Sequence, residues 1–143
     1  MEFRPYTTTE NLYQESLHLR NKELRIPLGM QLSEEDTCDD PNRLHFAIVE
    51  QEHIVASVSL QPVDETKVKV RQMVVDRAYQ GKGIGALLLS SAEKTLEGNT
   101  FSIIEMDARI SAEPFYAKLG YQSEGGTYDL KGIPHVKMHK SIK

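Results

Sequence analysis

Three glycines fall within five residues where an apolar strand should give way to a helix, in Gln80-Gly81-Lys82-Gly83-Ile84-Gly85-Ala86. Upstream, Val68, Val70, Gln72 and Val74 alternate with Lys67, Lys69, Arg71 and Met73, and the run closes on Met73-Val74-Val75, as a strand entering a core does. Downstream, Ile84, Leu87, Leu88, Ser91, Ala92 and Thr95 recur at helical spacing and predict the buried face of a helix. Glycine inside a helix costs about 1 kcal/mol against alanine, so local propensity opposes this arrangement. A compensation is access: without Cβ atoms, backbone N–H groups at a helix N-terminus can touch an anion. The stretch reads as a phosphate cradle.

Two other phosphate loops compete with that reading. Gly81-x-Gly83-x-x-Ala86, with Glu105 further along, satisfies a dinucleotide fingerprint. Its context differs, because Asp76 to Gln80 separate the strand from the first glycine, whereas a dinucleotide fingerprint turns at once. A Walker A loop fails outright, since Lys82 is followed by Gly83 and not by Ser or Thr. The plain structural alternative is glycines that serve tight packing only.

At 143 residues, 39% hydrophobic and 27% charged, the chain is expected to form one globular domain over residues 1–143. No apolar run approaches the ~20 residues of a membrane span, so no membrane partner is expected. Met1-Glu2-Phe3-Arg4-Pro5 lacks the basic-then-apolar order of a signal peptide, which makes a cytoplasmic location the default. The single cysteine, Cys38, excludes an internal disulfide framework and a cysteine-based zinc cluster, and no metal is expected. A net charge of −4 argues against a nucleic-acid partner but is compatible with a local basic groove for one small anion.

Along the chain, Glu2 to Tyr6 predict a first strand, and Thr7-Thr8-Thr9-Glu10 has the spacing of a capping box that starts a helix at Thr7. Tyr13, Leu17 and Leu24 mark one face of that helix, which Pro27 and Gly29 should end. Residues 30–43 carry Glu34, Glu35, Asp36, Asp39 and Asp40, and read as a solvated loop, a short helix, or an acidic wall facing substrate. Leu44–Glu50 and Ile54–Gln61 read as a hairpin without an Asn-Gly turn, and Lys67–Val75 as the next strand. After the glycine-bearing helix come a strand over Phe101–Ala108, a helix from Ser111 or Ala112 to Leu119, a strand over Tyr121–Gly125, a loop over Gly126–Pro134 and a strand over Val136–Ile142. That order favours an α/β sheet with helices on both faces.

Gln80-x-x-Gly83-x-Gly85 matches the Arg/Gln-x-x-Gly-x-Gly/Ala signature of the GNAT (Gcn5-related) N-acetyltransferase superfamily, and Phe115-Tyr116-Ala117-Lys118-Leu119-Gly120-Tyr121 resembles its Phe-Tyr-x-x-x-Gly-Phe element. Leu24-Arg25-Ile26-Pro27-Leu28-Gly29 and Gly132-Ile133-Pro134-His135-Val136 further resemble a bacterial, ElaA-like subgroup. The resemblance covers nearly the whole chain. It implies a mixed, mainly antiparallel central sheet of six to seven strands flanked by helices on both faces. It also implies acetyl-CoA as co-substrate, with Gln80, Gly81, Lys82, Gly83, Ile84, Gly85 and Ala86 at its pyrophosphate and the backbone of Met73, Val74 and Val75 along its pantetheine arm.

The same resemblance implies acetyl transfer to a primary amine of a small molecule, with Tyr116 as the acid that meets the departing thiolate. For the base, His135 is the first candidate because histidine titrates near neutrality, and Glu105 at the end of a strand is the second. His45 and His53, in or beside the hairpin, are expected to be structural or solvated. A binding module that holds acyl-CoA without turnover, and less favourably a dinucleotide-binding domain, are the alternatives. Relatives pair through sheet edges or helices, so monomer and homodimer both stand.

Overall fold

Runs of alternating apolar residues become seven strands in the computed structural model, which describes residues 1–142. They are β1 (Glu2–Tyr6), β2 (Leu44–Glu50), β3 (His53–Pro62), β4 (Lys67–Val75), β5 (Ile103–Arg109), β6 (Gln122–Leu130) and β7 (Ile133–Ser141). Four helices accompany them: α1 (Asn11–Arg20), α2 (Glu34–Thr37), α3 (Ile84–Thr95) and α4 (Glu113–Lys118). The strand order is β1-β2-β3-β4-β5-β7-β6. The β1–β2, β2–β3, β5–β7 and β6–β7 pairs are antiparallel, and β4–β5 is parallel. A parallel neighbour needs a crossover, which α3 supplies between β4 and β5. The mixed, mainly antiparallel sheet expected from the resemblance is therefore present.

Two compact units divide the chain: Met1–Gln61 with Arg71–Thr95, and Pro62–Val70 with the residues from Leu96 onward. In the first, Tyr6, Leu12, Leu19, Ala47, Val49, Ile54 and Val74 form a core cluster against which Tyr13 and Leu24 pack. In the second, period-two alternation buries Ile104, Met106 and Ala108 of β5, and register sets Met106 beside Met138 and Ala108 beside Val136 of β7.

The first helix differs from its sequence reading. Thr7–Glu10 form a turn, in which the Glu10 carboxylate accepts from the Thr7 amide at 3.2 Å, and α1 begins only at Asn11. Its fully buried residues are Leu12, Ser16, Leu19 and Arg20, while Tyr13 and Leu24 of the expected stripe pack against the core cluster half-buried and Leu17 stays half-exposed, so a buried arginine takes part in the face where apolarity alone marks nothing. The stop was read correctly: after a π-turn over Asn21–Arg25 and a 3-10 turn over Ile26–Leu28, Gly29 takes φ 72° at the C-cap. In α3 the buried residues are Ile84, Gly85, Leu88, Leu89 and Ala92, so the face is rotated from that expected and Leu87 points outward at 47% exposure.

The acidic segment forms a short helix, and two of its carboxylates turn inward. Asp36 is buried and held by Arg25 through bonds of 3.1 and 2.8 Å, and it closes a capping box with Ser33 at the start of α2. Asp40 is fully buried between Arg20 and Arg43, each with a 3.0 Å ion pair to it. Only Glu34, Glu35 and Asp39 of the five acidic residues face solvent.

The β2–β3 and β6–β7 hairpins turn on left-handed residues. Gln51 and Glu52 take φ 51° and 68° between β2 and β3, the geometry of a type I′ turn reached without Asn-Gly. Lys131 and Gly132, at φ 53° and 77°, do the same between β6 and β7. Residues 126–130, expected as loop, are thus strand, in a hairpin whose register shifts between Glu124 and Tyr128. One further residue is exceptional: Gln72, inside β4, has φ 49°. A left-handed conformation costs a non-glycine residue about 1–2 kcal/mol, so something must hold it there.

Candidate active site

In the first unit the glycine motif is built from the end of β4 forward. Val74 is buried at 4% exposure in the core cluster, which anchors the strand. The Asp76 amide bonds to the Val55 carbonyl at 2.8 Å, and the Asp76 carboxylate accepts from the Ala78 amide at 2.9 Å and from Lys22 at 3.1 Å. The Ala78 bond and the Lys22 charge hold the Asp76 carboxyl below its ordinary value against the opposing effect of burial. The five-residue lead-in noted from the sequence is therefore a 3-10 turn over Arg77–Tyr79, capped by Asp76.

Gln80 is extended, and its side chain reaches back to the Val75 carbonyl at 3.0 Å. Gly81 and Gly83 take φ 80° and 78°, and a Cβ on either would meet nothing within 4 Å. The glycines serve conformation here, and they leave open space above the backbone. The Leu87 amide makes the first helical bond, to Gly83 at 3.0 Å. The amides of Gly83, Ile84, Gly85 and Ala86 lie ahead of that bond, at the positive end of a 12-residue helix. Lys82 is exposed, with Nζ 5.6 Å from the Tyr79 ring centre. This set of donors suits a pyrophosphate.

In the second unit, α4 carries Tyr116, and the physical content of the second motif is a helix stop. Gly120 takes φ 96°, its amide bonds to the Ala117 carbonyl at 3.1 Å, and the Tyr121 amide bonds to the Tyr116 carbonyl at 3.1 Å. That is a Schellman closure, and the contact that accompanies it is made by the Tyr116 and Tyr121 rings at 6.0 Å. Phe115 stands edge-on to Tyr116 at 5.0 Å. Burial pushes the Tyr116 hydroxyl up to about 12, with the Arg109 charge pulling the other way. The phenol is protonated at neutral pH and is a donor.

His135 lies on β7 opposite Arg109 of β5 and Tyr128 of β6. Its Nδ1 is 2.7 Å from the Ile133 carbonyl, which can only accept, so Nδ1 carries the proton. In the neutral ring Nε2 is then a bare lone pair. Glu105, on β5, is engaged by Lys67 at 3.7 Å and Lys137 at 3.5 Å. His45 is buried and structural: Nε2 meets the Asp40 carbonyl and Nδ1 the Ser59 hydroxyl, each at 2.8 Å, and burial lowers its pKa. His53 is solvent-exposed beside Glu15 at 3.4 Å.

Sequence reasoning missed a polar group beside His135. The Tyr128 hydroxyl donates to Asp107, which also pairs with Lys69 at 2.7 Å, and the Tyr128 ring stacks on His135 with centres 6.4 Å apart. Burial and the Asp107 carboxylate push the Tyr128 hydroxyl up to about 12. The signal available was period-two spacing through residues 122–130, masked by Gly125-Gly126. Among the described residues, no group of three or more His, Cys, Asp or Glu could hold a metal ion, and no helix is long and apolar enough to cross a membrane.

Comparison with known proteins adds family to geometry. A family model described as an acetyltransferase (GNAT) domain matches residues 28–142. The uncharacterised protein YyaT of Bacillus subtilis (strain 168) is 26% identical over 146 residues, covering 99% of this chain and 97% of that protein. The crystal structure of Escherichia coli ElaA superposes with a TM-score of 0.85 at 19% identity, over 97% of this chain and 98% of that one. An aminoglycoside 6′-N-acetyltransferase complexed with coenzyme A gives 0.83 at 19% identity, over 100% and 98%. These last two likenesses are of fold, and the family model adds membership: the chain belongs to the GNAT acetyltransferase family.

Proposed function

We propose that the chain is an acetyl-CoA-dependent N-acetyltransferase acting on a primary amine of a small molecule, in the cytoplasm, as a monomer or homodimer. The observation that carries this reading is the start of α3, where four backbone amides stand ahead of the first helical bond beside left-handed Gly81 and Gly83 in open space. In this reading Gln80 to Ala86 bind the pyrophosphate, chiefly through the amides of Gly83, Ile84, Gly85 and Ala86. Lys82 adds a salt-sensitive contact. The backbone of Met73, Val74 and Val75 takes the pantetheine arm as an added strand, and the amide of Val74 or Val75 donates to the thioester oxygen. A coenzyme A complex of a protein with the same fold supports the donor assignment.

The chemistry is direct attack. The neutral amine forms a C–N bond at the thioester carbon, and the carbonyl electrons move onto oxygen, where one oriented donor contributes roughly 3–4 kcal/mol. Collapse of that intermediate breaks the C–S bond, and the departing thiolate takes a proton from the Tyr116 hydroxyl, whose raised pKa keeps it protonated. The proton lost by nitrogen goes to a base, directly or through water. His135 is the first candidate, supported by the bare Nε2 that its Nδ1 bond dictates. Glu105 is second, since two lysines already engage its carboxylate.

The test is calorimetric titration of coenzyme A, followed by thiol release from acetyl-CoA across a panel of small primary amines. Binding and turnover are expected, with Tyr116→Phe lowering kcat tenfold or more and leaving coenzyme A affinity within about twofold. Binding without turnover on any amine would favour a non-catalytic acyl-CoA module. Tyr116→Phe with wild-type kcat would remove Tyr116 as the acid.

A further inference from the structure

Gln72 is a non-glycine residue at φ 49° in the middle of β4, one residue before the Met73–Val75 segment. Glycine would adopt that backbone more easily, so a glutamine held there points to use of its side chain. The side chain is clamped at both ends. Its amide oxygen accepts from Arg20 Nε at 2.5 Å, and its amide nitrogen donates to the Asp36 carbonyl at 3.4 Å. Arg20 cannot drift: it is 1% exposed, and Asp40, fully buried, takes both of its terminal nitrogens at 3.0 and 3.1 Å. Asp40 is fixed in turn by the Tyr13 hydroxyl at 2.7 Å and Arg43 at 3.0 Å. The proposed chemistry uses none of these groups, yet they converge on one strained strand residue.

We infer that Gln72, clamped by Arg20, is a positioning residue that sets the direction in which Met73, Val74 and Val75 present their backbone amides. A left-handed residue rotates the following peptide plane out of the regular ladder, so the amides after it point where an ordinary strand would not aim them. Val74 on the next inward position is packed in the core cluster, so the rotation is held on both sides of Met73. The network thereby orients the strand edge for a pantetheine arm. This rests on the acetyl-CoA reading above.

The experiment uses the full chain with Gln72→Met, which keeps length and removes the polar end, and Gln72→Gly, which relaxes the backbone and removes the clamp. Each is titrated with coenzyme A and with adenosine 3′-phosphate 5′-diphosphate, which keeps the phosphates and lacks pantetheine, and its thermal midpoint is measured. Gln72→Met is expected to weaken coenzyme A at least tenfold while the nucleotide stays within twofold, and Gln72→Gly, should the Met variant not fold, is expected to show the same split. A lowered midpoint with unchanged coenzyme A affinity would make Gln72 structural only, and equal weakening of both ligands would overturn the inference as well. Wild type that binds neither ligand would overturn the acetyl-CoA reading itself, a result distinct from either of those.

Discussion

Asp40→Asn separates charge from shape at the centre of the first unit. Asp40 is fully buried, and its carboxylate accepts from the Tyr13 hydroxyl at 2.7 Å, Arg20 Nη1 at 3.0 Å, Arg20 Nη2 at 3.1 Å and Arg43 Nη1 at 3.0 Å. Asparagine keeps one acceptor oxygen and turns an NH2 group toward guanidinium donors, leaving Arg20 and Arg43 without their shared counter-charge. Removing one partner of a buried pair costs roughly 3–5 kcal/mol, a large part of the ~5–15 kcal/mol that holds a domain folded. At about 2–4 °C per kcal/mol for a chain near this size, the melting temperature falls by roughly 6–20 °C.

The pH dependence carries the sign. Burial alone would raise the Asp40 carboxyl, but the bonds from Arg20 and Tyr13 and the Arg20 charge outweigh it and hold the group below its ordinary 3.8. The unfolded chain then binds that proton more readily, so the stabilisation is full above the unfolded value of about 3.9 and is lost as pH falls through the lower folded value. Urea unfolding followed by circular dichroism, from about pH 7 down to about pH 3, measures both. The gap between wild type and Asp40→Asn should be widest at neutral pH and narrow on acidification. A gap under about 1 kcal/mol at neutral pH, or one that does not change with acid, would refute the reasoning.

Two smaller perturbations test the turns. Gly83→Ala meets no neighbour within 4 Å, so its cost is conformational alone, about 1 kcal/mol or a fall of roughly 2–4 °C in Tm, with coenzyme A affinity weakened in calorimetry; a loss above about 3 kcal/mol would assign the glycine a packing role instead. Gln51→Asn with Glu52→Gly supplies the residues that a type I′ turn prefers at φ 51° and 68°, and should raise Tm by about 2–4 °C in a thermal scan; no gain would mean the turn is not at strain.

What was legible came from chemistry that acts over a few residues. Alternation placed β2, β3 and β4 within a residue of their ends, Pro27 and Gly29 ended the first helical run, and the glycine cluster marked the start of α3. The Phe-Tyr-x-x-x-Gly-Tyr string was legible for an equally local reason, since Gly120 closes the helix onto Tyr116 and Ala117. In each case the deciding interaction lies within one turn or one strand, where the sequence itself spells it out.

What failed needed a partner far along the chain. Arg20 and Asp40 look like surface charges until the fold brings Arg43, Tyr13 and Gln72 around them, so the buried Arg20 of α1 and the buried carboxylates of the acidic segment were not legible. Gln72 reads as an ordinary strand position, yet it is left-handed at φ 49° and its side chain accepts from Arg20, 52 positions earlier. The second half of β6, residues 126–130, reads as loop because Gly125 and Gly126 break its pattern, while the β7 ladder continues it. The sequence by itself determined most of the elements, the family resemblance and the glycine-rich start of α3, because glycine and alternation act locally. Only tertiary structure decided which charges are buried and which side chains hold left-handed Gln72, because burial and pairing are properties of the neighbours that the fold supplies.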